Sequence, residues 1–83
     1  MIPSWCVVAA MLRRARESKG ISVEEAARLY SVSVIDIGEL ELTGRARGIN
    51  VMEYAETVLQ LKGNELATLA SVMWPSQKGN RWE

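Results

Sequence analysis

Apolar residues recur along this chain at helical spacing, in short runs separated by glycine and by small capping residues. Trp5, Val8, Leu12 and Ala15 stand at i, i+3, i+7 and i+10, which predicts a helix from about Trp5 to Ser18 with Ser4 as N-cap and Gly20 as its stop. Cys6, Val7, Ala10 and Met11 make the first half of that helix apolar on another side, as extra core or as a surface that a second chain covers. A second helix opens at Ser22, with Glu25 three residues on for a capping box, and Ala26, Ala27, Leu29 and Tyr30 cover one of its faces. The same device returns at Ser33 and Asp36. Val32 plugs the turn between, and Ile37 and Leu40 form the inward stripe of a third helix. A fourth helix opens near Asn50, pairs Asn50 with Glu53, and runs to about Leu61 on Val51, Met52, Ala55, Val58 and Leu59 before Lys62-Gly63-Asn64 breaks it. A fifth, from about Asn64 to Val72, presents Leu66, Leu69 and Ala70, and Trp74-Pro75 ends it. No strand alternation or repeat is visible. The pattern predicts an all-α, compact five-helix bundle over residues 1–75, followed by a flexible polar tail over 76–83.

The second and third helices are each under three turns and cannot bury enough surface alone, so the flanking chain must pack on them. A helix-turn-helix is the natural reading of that pair. Composition then narrows the picture. Eighty-three residues make one domain with a thin core, burying about 60–65% of the unfolded surface. Ten Lys plus Arg balance ten Asp plus Glu, without the basic excess usual in nucleic-acid binders. Cys6 stands alone, which excludes an internal disulfide and fits a reducing cytoplasm. No window reaches the roughly 18 apolar residues of a membrane span, and no secretory signal is expected at the apolar start.

LRRAR, KGIS, EEAA, the Val32-Ser33 turn, Ile37, Leu40, Glu41 and the Asn64-Glu65-Leu66 ending fall together in a familiar arrangement. Leu12 to Leu66, 55 of the 83 residues, resembles the lambda-repressor-like helix-turn-helix domain of the Cro/CI or XRE type. Arg16 and Glu41 are the more specific part, 25 residues apart where the family holds an ion pair between the first helix and the end of the recognition helix. The resemblance implies operator DNA binding, as a two-fold homodimer, with the third helix in the major groove.

The resemblance directs Val34, Ile35, Asp36, Gly38 and Glu39 toward base edges. Valine and isoleucine suit a thymine methyl, and a carboxylate accepts from a cytosine amino group, but none makes the bidentate contact to guanine or adenine. Ser22, at the start of the second helix, and Arg28, Arg45 and Arg47 are the expected phosphate contacts. Local ion pairs, Arg13 with Glu17 and Arg28 with Glu24 or Glu25, are the competing account of some of those charges. Leu69, Val72, Met73 and Trp74 are the expected dimer seam.

Enzymatic chemistry has little to work with. The chain has no histidine, no metal-ligand cluster and no nucleotide-binding fingerprint, so no cofactor or metal is expected. Two functions stay open at this point. One is a cytoplasmic transcriptional regulator that binds double-stranded DNA as a homodimer. The other is a degenerate helix-turn-helix that captures another regulator protein, presenting Val34, Ile35 and Leu42 to its partner.

Overall fold

A computed structural model describes residues 5–74. Five helices follow one another: α1 (Trp5–Ser18), α2 (Val23–Tyr30), α3 (Val34–Thr43), α4 (Val51–Thr57) and α5 (Asn64–Met73), with no strand among the described residues. α3 packs on α1 and α2, while α5 packs on α1 and α4. Val8, Leu12, Ile37, Leu40, Tyr54, Leu59 and Leu69 lie fully buried where these helices meet. The all-α five-helix architecture is as the periodicity requires. The Ser4 cap, the Pro75 stop and the tail over 76–83 lie outside the described residues.

The helix starts follow from their capping side chains. Ser22, Ser33 and Asn50 each accept the backbone N–H three residues on, at 3.0, 3.1 and 3.1 Å. Only the middle site closes a full box, with the Asp36 carboxylate accepting the Ser33 N–H at 3.3 Å. Glu25 instead lies 3.7 Å from Arg28, and Glu53 accepts a 2.7 Å hydrogen bond from the Tyr30 hydroxyl. At the end of α2, Ser31 takes a left-handed conformation (φ 59°) so that the Val32 N–H reaches back to the Ala27 carbonyl at 2.9 Å.

Three sequence expectations change. α4 stops at Thr57 rather than near Leu61, with Gln60 left-handed (φ 56°) and the Leu61 N–H bonded to the Ala55 carbonyl. In a continuing helix Leu59 and Leu61 would point about 200° apart; leaving the helix buries both. Leu29 is half exposed, because it falls outside the arc that Ala26, Ala27 and Tyr30 span on α2. Leu69 and Met73, expected at a dimer seam, are buried within the chain's own core, as α5 turns that stripe inward against its neighbours. Of the four seam residues Trp74 is the exposed one and Val72 is partly buried. On α1, Cys6, Val7 and Ala10 stay exposed while Met11 packs partly buried against the core, so only Met11 of that second apolar side joins it.

Candidate functional site

α3 is held in place from its inner side. Ile37 and Leu40 are fully buried, and one residue on, Glu41 meets Arg16 of α1. The guanidinium donates from Nε to Glu41 Oε2 at 2.6 Å and from Nη2 to Oε1 at 3.0 Å, while Nη1 donates to the Ile21 carbonyl at 2.7 Å. This bidentate pair is nearly closed to water on both sides. The hydrogen bond to Glu41 raises the Arg16 pKa further, against the opposing effect of burial. Tyr54 lies in the same interior, and its hydroxyl finds no hydrogen-bond partner among the described residues. Burial, reinforced by the Glu41 charge and opposed by Arg16, pushes the phenol up to about 12.

The outer side of α3 is open. Ile35 is 77% and Leu42 79% exposed, with Val34 at 46% and Gly38 and Glu39 exposed alongside. A Cβ built on Gly38 would meet nothing within 4 Å. Along one flank a shallow cleft joins Gly38 and Leu42 to Val23 of α2 and to Arg13 and Arg16 of α1. Along the other, Glu39 and Thr43 line a cleft with Trp5, Arg45, Ala46 and Arg47. The Asp36 carboxylate accepts the Ser33 N–H at 3.3 Å, so part of its acceptor capacity is used in capping α3.

The expected phosphate contacts divide. The Ser22 hydroxyl accepts the Glu25 N–H in capping α2 and keeps its own O–H to donate, and Arg28 lies 3.7 Å from Glu25, a solvent-exposed pair of little energetic consequence. Arg45 and Arg47 are exposed and make no ion pair among the described residues. Arg13, by contrast, is paired with Glu17 at 3.1 Å.

Sequence reasoning missed the junction at the end of α3. Arg45 places its guanidinium 5.2 Å from the centre of the Trp5 ring. Gly44, one residue earlier, is buried with φ 84°, and a side chain there would overlap the Trp5 carbonyl oxygen. The contact of Gly44 with a residue 39 positions away carries no local signal in the sequence. Elsewhere, an apolar groove of about 290 Å³ between α1 and α5 shares no residue with the outer face of α3. Among the described residues no helix is long and apolar enough to cross a membrane, and no cluster of three metal-ligating side chains occurs. No protein-family model, curated protein or solved structure matches the chain.

Proposed function

We propose that this chain is a small, cytoplasmic helix-turn-helix regulator of the lambda-repressor-like type that binds double-stranded DNA. α3 is the helix that enters the groove, with Val34, Ile35, Gly38, Glu39 and Leu42 on its working face. One observation supports this above the others. α3 is locked from behind by the Arg16–Glu41 pair, keeps its front open, and is followed at once by two exposed arginines with no ion pair among the described residues. A rigid helix with cations at its end is what phosphate contacts need in order to set register on a duplex. The protein acts as a homodimer, with Val72 of α5 and Trp74 just after it left for the seam.

The test is an anisotropy titration against the protein's own upstream DNA over a range of salt concentrations. Binding should weaken steeply as salt rises, and Arg47→Ala should weaken it for all sequences and reduce the salt slope by about one. Absence of salt-dependent binding would defeat the DNA reading.

A second reading has its own support in the apolar character of α3. Its two most exposed large residues are Ile35 and Leu42, and no cationic or amide side chain stands among its outward positions. Such a helix suits the groove of another regulator protein. On that reading Ile35→Asp abolishes partner capture and Arg47→Ala leaves it unchanged.

A further inference from the structure

We propose that Trp5 is a positioning residue for Arg45, and that the two together form a preorganised phosphate contact at the end of α3. This inference rests on the DNA reading above and adds to it a residue on α1, the first described by the structure. The guanidinium carbon of Arg45 lies 5.2 Å from the Trp5 ring centre. A cation held over an aromatic face is attracted by the ring's charge distribution without using a hydrogen-bond acceptor, which leaves guanidinium N–H donors for an oxyanion. Arg45 is exposed and has no carboxylate partner among the described residues, so those donors face solvent.

The backbone beneath this contact is fixed from two directions. Gly44 is pressed against the Trp5 backbone so closely that no side chain fits. The Thr43 hydroxyl bridges the turn, lying 2.9 Å from the Glu39 carbonyl, 2.8 Å from the Arg45 carbonyl and 3.4 Å from the Arg45 N–H. Arg45 therefore starts from a fixed backbone and ends on a fixed ring, and little side-chain freedom is left to lose when a phosphate arrives. Arg47 shares the cleft and adds a second cation, whereas the Glu39 carboxylate at the same cleft opposes an anion.

The experiment is a double-mutant cycle in duplex binding, with wild type, Trp5→Leu, Arg45→Ala and the double variant. A parallel readout is Trp5 fluorescence under inorganic phosphate titration, in a protein carrying Trp74→Phe and Trp82→Phe. Trp5→Leu should weaken duplex binding about two- to fivefold, and Trp5→Phe should restore most of the loss. In the Arg45→Ala background Trp5→Leu should have no further effect. Inorganic phosphate should shift the Trp5 emission only while Arg45 is present. Additive losses in the cycle, or an Arg45-dependent affinity indifferent to Trp5→Leu, would overturn the positioning role while leaving the DNA reading intact. If the wild type binds no duplex but phosphate still shifts Trp5 through Arg45, the DNA reading fails and the anion contact stands. If neither duplex nor phosphate is bound, both fail.

Discussion

On its inner side α3 buries Ile37 and Leu40 completely and sends Glu41 into the network with Arg16; on its outer side Ile35 and Leu42 are more than three-quarters exposed. Hydrophobicity does not separate the two sides, because both carry large aliphatic residues. Burial does. Full burial of a leucine or isoleucine contributes about 1.5–3 kcal/mol, so a domain with a thin core forgoes stability at each of the two outer positions. The inner residues are explained by the fold itself. Nothing in the fold requires large aliphatic side chains at the outer positions, and in the proposed function a bound partner covers them.

The largest effects belong to the inner side. Glu41→Ala leaves the Arg16 guanidinium buried without its charge partner and should destabilise by about 3–5 kcal/mol. Arg16→Met combined with Glu41→Leu should cost less than either single alanine change, since no charge then remains in the interior. Urea midpoints for the four proteins check this, and equal losses from single and double variants would remove the pair from its place at the α1–α3 junction. Leu40→Ala should follow at about 2–5 kcal/mol, read from the same curves.

The interior also sets an alkaline limit. Burial raises the Tyr54 phenol from 10.0 to about 12, so the folded state favours the neutral form more than the unfolded state does. Tyr54 therefore contributes stability that is fully present below pH 10.0 and is lost as pH rises toward about 12. Stability followed by denaturant titration should fall across that window, and Tyr54→Phe should flatten the fall. Because the hydroxyl has no partner among the described residues, that change should cost little at neutral pH.

The smallest stability effect is on the outer side, and its sign is opposite. Gly38 sits in the middle of α3 with nothing within 4 Å of an added Cβ. Gly38→Ala should stabilise by up to about 1 kcal/mol through helix propensity alone. Stability gained together with weaker duplex binding would show that the site needs the close backbone approach that glycine permits.

Legibility in the sequence follows the same division. The limits of α1, the serine and asparagine caps, and the core residues Leu12, Ile37 and Leu40 were all visible, because capping and periodicity are local signals. The Arg16–Glu41 pair lies 25 residues apart and was visible only through the family resemblance. Tyr54 went unnoticed, although it sits one residue before Ala55 in the inward stripe of α4. The early end of α4 at Thr57 and the left-handed Ser31 and Gln60 depend on tertiary packing that overrides the usual preference for glycine. Leu69 and Met73 could be assigned inward or outward only once α5 had neighbours. The Trp5–Arg45 cation–π contact joins the first helix to the connector after the third, and no sequence spacing encodes it.

In the proposed function the outer face of α3 reads sequence through Ile35 and Leu42, which contribute little to the fold. It is tested most directly by the ratio of affinities for the upstream duplex and for a scrambled duplex, measured for wild type and for the double variant Ile35→Ser, Leu42→Ser. The ratio should fall toward one while the urea midpoint holds, because both side chains are exposed in the free protein. An unchanged ratio in the folded double variant would contradict it.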